Sequence, residues 1–246
     1  MADGERLVGI HPVREALRAR RRALRRVWVA GSAGRRHLDE ILALAREAGV
    51  PVEIADGPGR RGREQVELEA GPLPEVSVEE LAAFAGESAR LVALDEVEDP
   101  QNLGALCRVA EAAGARGLIL TRRHAPPLSP AVSRASAGAV EHLAVARVPN
   151  LHRALNHLKS QGYWVLGADV EAPADLFELP DRWLAGKLVV VLGGEGRGIR
   201  PGVRDCLDHR ARIPMAGRVG SLNVSTAGAV VLFELLRRAR ARGERG

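Results

Sequence analysis

Apolar residues recur along this chain with a helical period in some stretches and in short unbroken runs in others, and the two kinds of stretch alternate. From His11 to Arg20 ("HPVREALRAR") the positions Val13, Ala16 and Leu17 fall on one face of a helix. "RVWVAG" then reads as a short strand, "LDEILALAREAG" as a second amphipathic helix and "PVEIA" as a second strand. "DGPGRRGREQVELEAGPLPEVSVEEL", rich in Gly, Pro and charge, reads as a loop region that contains a linker.

Beyond it the apolar runs become continuous. Strands are predicted at Leu91–Leu94, Gly117–Thr121, Ala144–Val148, Trp164–Ala168, Leu188–Leu192 and Ala211–Pro214. Helical patterns separate them at "NLGALCRVAEAAG", "SPAVSRASAGAVE", "NLHRALNHLKSQG" and "PGVRDCLDH", and a long helix begins near Leu222. Fully apolar strands alternating with amphipathic helices predict an α/β fold, with a mostly parallel sheet covered on both faces. The expected organisation is a small α/β domain over residues 1–75, a linker over 76–88 and the larger domain over 89–246.

At 246 residues either domain has material for a core. No apolar run approaches the roughly 20 residues that span a bilayer, and "MADGERLVGIHP" has no signal-peptide core, so a cytoplasmic protein with no membrane partner is expected. The cysteines Cys107 and Cys206 fall in different predicted helices without metal-ligand spacing, which favours reduced thiols. No Ser/His/Asp triad, Walker motif or metal cluster is evident, and no metal is expected. A net charge of +5 suggests a polyanionic partner, weakly; the low aromatic share of 3% argues against a base-stacking surface. Distribution is more telling. Arg18, Arg20, Arg21, Arg22, Arg25 and Arg26 crowd into nine residues, a candidate phosphate-contact surface for RNA.

In parallel α/β sheets ligands bind beyond the carboxyl ends of strands. Three polar segments fall there: "DEVEDPQNLGALCR" (Asp95 to Arg108), "GGEGRGI" (Gly193 to Ile199) and "PMAGRVGSLNVS" (Pro214 to Ser225). "GGEGRGI" superficially resembles a phosphate loop, but Glu195 inside it would repel an anion. Asn102 could simply cap the following helix, and Arg108, about 9 Å further along it, could be a solvated arginine. Ser221 or Asn223 could cap the last helix.

Taken together, "DEVEDPQNLGALCRVAEAAG", "VVLGGEGRGI" and "IPMAGRVGSLNVSTAGAVVLFE" resemble, in order, the three motifs of the SpoU (TrmH-type) group of SPOUT RNA methyltransferases, over about residues 89 to 240. "LVGIHPVREAL" is similar to the start of the substrate-binding domain that many members carry, although "REQVELEAG" stands where they often have an "HQG" segment. The combination is most similar to the bacterial 23S rRNA (guanosine-2′-O)-methyltransferases. The resemblance implies a trefoil-knotted sheet, a homodimer and transfer of a methyl group from S-adenosylmethionine to a ribose 2′-hydroxyl of RNA. It implies cofactor binding around Gly193, Gly194, Ile213, Met215, Leu222 and Asn223, and a polar catalytic set of Asn102, Arg108, Glu195, Ser221 and Asn223.

Arg108 is the base that the resemblance implies, and two readings of it stay open. Its proton affinity could be depressed by neighbouring charge or desolvation. Alternatively, a charged Arg108 could hold an RNA phosphate and stabilise the developing alkoxide, since guanidinium groups are not normally deprotonated. Methylation of tRNA, methylation of an rRNA adenosine and a non-catalytic RNA-binding role in ribosome assembly are the alternatives.

Overall fold

Alternation along "VELEA" places Val66, Leu68 and Ala70 in a buried core and gives the first unit its central strand. The computed structural model describes residues 4–30, 35–55, 66–83 and 89–243. The strands of this unit are β1 (Glu5–Val8), β2 (Leu24–Ala30), β3 (Val52–Ala55) and β4 (Val66–Ala70), in the order β1-β4-β2-β3. β4 runs antiparallel to both neighbours, and β2 pairs with β3 in parallel. Helices α1 (Ile10–Ala19) and α2 (Arg35–Glu47) contribute Val13, Leu17 and Ile41 to the core, where they join Leu7, Val27 and Leu68.

The second unit is built on seven strands: β5 (Arg90–Asp95), β6 (Gly117–Thr121), β7 (Ala144–Val148), β8 (Trp164–Ala168), β9 (Ala174–Asp175), β10 (Leu188–Gly193) and β11 (His209–Arg212). Their order is β7-β6-β5-β10-β8-β11-β9, and every neighbouring pair is parallel. One face is covered by α3 (Val78–Ala83), which supplies Leu81, by α6 (Leu151–Ser160), which supplies Leu155 and Leu158, and by α7 (Pro201–Arg204), which supplies Val203. On the other face α4 (Pro100–Ala112) meets α8 (Val224–Ala241) at Gly228, where a Cβ would lie 2.5 Å from Leu106 and 3.0 Å from Leu192. Any larger residue there would push α8 off both.

Near the end of α8 the buried Arg238 ties the helix to the segment after β9. Its guanidinium donates to the carbonyls of Leu176, Phe177 and Leu179, to Asp181 and to Glu234. The Glu234 carboxyl is lowered to about 2, chiefly by its hydrogen bond from Arg237 and also by Arg238.

The six apolar runs are strands at nearly the expected limits. β11 begins earlier than expected and ends at Arg212. The stretch from Asp56 to Leu81, expected as loop, holds β4 and the start of α3. Within the expected linker, Val78, Leu81 and Ala82 are buried in the sheet unit's core; residues 84–88 lie outside the described residues, as do residues 56–65 of the expected loop. The helical stretch between β6 and β7 is a short helix, α5 (Pro130–Ala135), followed by a 3-10 turn at Ala139–His142. It packs with the first unit, so that one unit is Met1–Pro74 with Pro127–His142 and the other is Glu75–Pro126 with Leu143–Gly246.

A buried ion pair accounts for that allegiance. Arg22 donates through Nε and Nη2 to the two carboxylate oxygens of Glu141 at 2.9 and 3.0 Å, and through Nη1 to Glu5 at 2.7 Å. Ser133 donates to the same carboxylate. The Arg22 and Glu141 side chains are 1% and 0% exposed, so removing one partner would leave a buried charge.

Both cysteines are free and buried, and burial pushes the Cys107 thiol up to about 12. Among the described residues no helix is long and apolar enough to cross a membrane, and no His, Cys, Asp and Glu cluster could hold a metal ion.

Candidate active site

The chain leaves β5 toward β6 and leaves β10 toward β11, on opposite sides of the β5/β10 pair. Such a reversal opens a crevice at the carboxyl ends of the two strands. Asp95 and Gly193, the last residues of β5 and β10, are direct partners across that pair. The first and second polar segments therefore start side by side.

Beyond β10 the glycines serve close approach. A Cβ on Gly193 would lie 2.1 Å from the backbone of Gly198, and one on Gly194 would lie 2.1 Å from the Glu96 carbonyl. The loop closes on itself through a Gly198 N–H donated to Gly194 O, and on β5 through a Gly194 N–H donated to Asp95 O. Gly196 and Gly198 both have positive φ, 82° and 63°, which a side chain would strain. Fully buried Asp95 locks the far end of the loop. Its carboxylate accepts from the Arg200 backbone N–H at 2.9 Å and from Nε and Nη2 of the same residue at 2.9 and 2.6 Å. The hydrogen bond that Arg200 donates to Asp95 raises the Arg200 pKa above its ordinary value.

Glu195 sits at the tip of this loop. Asn102 Nδ2 donates to Glu195 Oε1 at 2.5 Å, and Asn223 Nδ2 donates to the same oxygen at 3.0 Å and to Asn102 Oδ1 at 3.0 Å. Each asparagine is free for this because of how its helix begins. Asp99, not Asn102, caps α4 by accepting from Gln101 N, which leaves the Asn102 amide to turn toward the loop. Asn223 does cap α8: its Oδ1 accepts from Ser225 N and Oγ, so its Nδ2 points away from the helix. One residue from each of the three polar segments thus meets in a single cluster.

Two spaces flank the Glu195 loop, and Gly194, Glu195, Arg197 and Gly198 line both. The larger, about 540 Å³, is bounded by Glu96, Glu98, Asp99, Asn102 and His124. The other, about 290 Å³, reaches Gly193, Leu192, Ser221 and Leu222. A small neighbouring pocket of about 60 Å³ shares Ala168, Asp169, Ser221 and Leu222 with it and adds Ile213 and Met215. The residues expected around a cofactor therefore fall together: Gly193, Gly194, Ile213, Met215 and Leu222 line these two adjoining spaces, with Asn223 between Leu222 and the start of α8. Backbone bared at the glycines, the apolar Ile213, Met215 and Leu222, and the carboxylate of Glu195 suit a cationic ligand with an apolar ring, whereas Asp169 and Glu171 are already paired with Arg204.

Two members of the expected catalytic set stand apart from the cluster. Ser221 is exposed and lines the Leu222 side. Arg108 is exposed on α4, six residues past Asn102, with no hydrogen-bond or ion-pair partner among the described residues. The Asp95–Arg200 lock was not among the sequence expectations. A carboxylate ending the wholly apolar run Leu91–Leu94 is the signal that could have found it.

Each of the six clustered arginines has a partner in its own unit. Arg18 pairs with Glu15 and Glu40, Arg20 with Glu47, Arg25 with Glu69 and Arg26 with Glu53, while Arg21 donates to the Glu141 carbonyl. The Arg18, Arg20, Arg25 and Arg26 side chains remain 44–48% exposed, and such pairs exchange readily with other anions. Arg22 differs: it is enclosed by Glu141 and Glu5 and does not belong to a surface that could meet phosphate.

Residues 89–233 match the SpoU rRNA Methylase family, and residues 6–58 match the RNA 2'-O ribose methyltransferase substrate binding family. A 23S rRNA (guanosine-2'-O-)-methyltransferase, RlmB, of Pseudomonas putida is 35% identical over 98% of this chain and 100% of its own length. Among solved structures, an AdoMet-bound rRNA methyltransferase from Sinorhizobium meliloti superposes with a TM-score of 0.76 at 26% identity, covering 95% of this chain and 87% of that one. The SpoU methyltransferase AviRb from Streptomyces viridochromogenes, in complex with AdoMet, shares the fold with a TM-score of 0.81 at 22% identity, covering 96% and 90%.

Proposed function

Because the chain belongs to the SpoU rRNA Methylase family, we propose that it transfers a methyl group from S-adenosylmethionine to the 2′-hydroxyl of a guanosine in 23S rRNA, in the cytoplasm, during ribosome maturation. The full-length similarity to the P. putida enzyme supports the substrate. The observation that carries the chemistry is the meeting of Asn102, Glu195 and Asn223 between two spaces that share one loop.

In this reading Gly193, Ile213, Met215 and Leu222 would hold S-adenosylmethionine, and the side lined by Asn102 and Glu98 would admit the acceptor nucleotide. The cofactor supplies an electrophilic methyl on a sulfonium. The protein has to align a ribose oxygen and manage its proton. Glu195 holds the two asparagines in one orientation and would supply negative charge to the space that holds the cationic cofactor. The Asn102 and Asn223 amides then position the ribose and fix where α8 begins. Ser221 shapes the cofactor side.

Arg108 acts charged in this scheme, gripping a phosphate next to the target ribose and stabilising the alkoxide as it forms; the proton leaves to phosphate or water. Its exposure and lack of a partner support this, since an unpaired guanidinium is ready for an anion. Its separation from the Asn102 cluster along α4 also suits a homodimer in which Arg108 completes the partner's site. A trefoil knot formed by the chain from β10 to α8 belongs to the same reading, supported by the fold's likeness to SpoU methyltransferases. The small first unit, Met1–Pro74 with Pro127–His142, binds the RNA, an assignment supported by the substrate-binding family match at residues 6–58.

Mapping 2′-O-methyl positions in rRNA and tRNA from cells with and without this gene tests the assignment. One 23S guanosine should lose its methyl group. Loss only in tRNA, or at an adenosine, would overturn it.

A further inference from the structure

The arginines that sequence makes conspicuous are already engaged, whereas others that sequence passes over are not. Arg122, Arg123, Arg153 and Arg197 are exposed, and none has a side-chain hydrogen bond or ion pair among the described residues. All four lie at the carboxyl end of the seven-stranded sheet. Arg122 and Arg123 follow β6 directly, where Arg122 N–H extends the ladder by donating to Val148 O. Arg153 is in the first turn of α6, which follows β7, and its backbone N–H is capped by Asn150. Arg197 is in the loop after β10 and lines the 540 Å³ space.

Strands β7, β6, β5 and β10 are consecutive in the sheet. At about 4.8 Å per strand their loops cover about 14 Å, the length of a short run of nucleotides. The backbone turns sharply at this rim: His124, in the left-handed region at φ 58°, reaches into the same space and pairs with Glu98. Arg153 is unusually placed, because a cation in the first turn of a helix faces the positive end of its dipole, and that turn holds no acidic residue. An anion binding there relieves the repulsion. The carboxylates nearby are each supplied with an internal donor: Glu96 by Arg200, Glu98 by His124, Asp99 by Gln101 N–H, and Glu195 by the two asparagines. They do not take up the four guanidinium groups.

We propose that Arg122, Arg123, Arg153 and Arg197 form a track for the phosphate backbone of RNA along this rim, on either side of the nucleotide that enters the 540 Å³ space. The proposal rests on the RNA methyltransferase reading and assigns backbone positioning to the catalytic sheet itself. Rigid guanidinium forks match phosphate oxygens, and such contacts set register without reading sequence.

The test uses the full chain, unmodified 23S rRNA transcript and a salt titration of binding. Arg122→Gln/Arg123→Gln should weaken RNA binding at least tenfold and lower the slope of log K against log salt by about 1.4 to 1.8. KM for RNA should rise while kcat at saturating RNA, S-adenosylmethionine affinity and the melting temperature stay close to wild type. Arg116→Gln removes an exposed, unpartnered arginine from the opposite end of the same strand and should change none of these. Unchanged affinity and salt slope in the double variant would overturn the proposal, as would an equal loss in Arg116→Gln and the double variant. Failure of the wild-type chain to bind S-adenosylmethionine or to methylate any RNA would instead overturn the enzymatic reading.

Discussion

Asn102 and Glu195 are 93 residues apart in the chain, and the amide of one donates to the carboxylate of the other at 2.5 Å. That bond joins the first turn of α4 to the tip of the loop after β10, and Asn223 at the start of α8 completes it through the same oxygen. Three elements distant in sequence are thereby registered at one point. Both amides converge on one carboxylate oxygen, so a glutamine could keep the two contacts through its carbonyl, but it removes the negative charge and sets two new donors against the cluster.

Glu195→Gln is therefore expected to lower the single-turnover methylation rate by about 10²-fold, the usual scale for losing one preorganised polar group. Binding of RNA should change little. Single-turnover assays with saturating RNA and cofactor check this, and a loss confined to KM would assign Glu195 to binding alone.

Arg108→Lys is expected to retain little activity, because a point charge does not reproduce a two-pronged phosphate contact. As Arg108 is exposed and unpartnered, the melting temperature should move by no more than about 0.5 kcal/mol allows. A near-wild-type rate for Arg108→Lys would contradict the phosphate clamp.

Arg200→Ala strips every side-chain donor from Asp95, which is fully buried. A buried charge left without its partner costs about 3–5 kcal/mol. Chemical denaturation should register that loss, and calorimetry should show weaker S-adenosylmethionine binding as the glycine loop loosens. Unaltered stability would mean the lock is dispensable.

Acid should weaken the C-terminal helix in a defined window. The Glu234 carboxyl is lowered to about 2 in the folded chain, first by Arg237 and then by Arg238, against an ordinary value of 4.5. A depressed carboxylate contributes stability that is present above its unfolded pKa and is lost as pH falls from about 4.5 toward 2. With Arg237 largely exposed, the contribution is about 1–2 kcal/mol. Glu234→Gln should lower stability at pH 7 by that amount and flatten its decline over the window, as thermal melts across pH would reveal.

The sheet of the second unit was legible because each buried strand is an unbroken apolar run, and a parallel strand buried on both faces leaves no other pattern. β4 was not. In "VELEA" the alternating glutamates looked like a charged loop, yet Glu67 and Glu69 meet Arg6 and Arg25 from the neighbouring strands. Pairing across a sheet is invisible to a reading that runs along one strand. The same limit hid the Arg22–Glu141 pair, which takes residues 127–142 into the first unit, and the Asp95–Arg200 lock. In the site, the residues whose helices begin at Asp99 and Asn223 could be placed near one another from the order of strands and loops. Which of them would cap and which would reach across depended on helix starts that shift by a few residues.

Transfer of labelled methyl from S-adenosylmethionine to unmodified 23S rRNA by the purified chain, followed by digestion and nucleoside analysis, tests the guanosine 2′-O-methyltransferase assignment. Label is expected in 2′-O-methylguanosine at a single position, reduced about a hundredfold in Glu195→Gln. Label in a base-methylated nucleoside, or cofactor binding without transfer to any RNA, would contradict it.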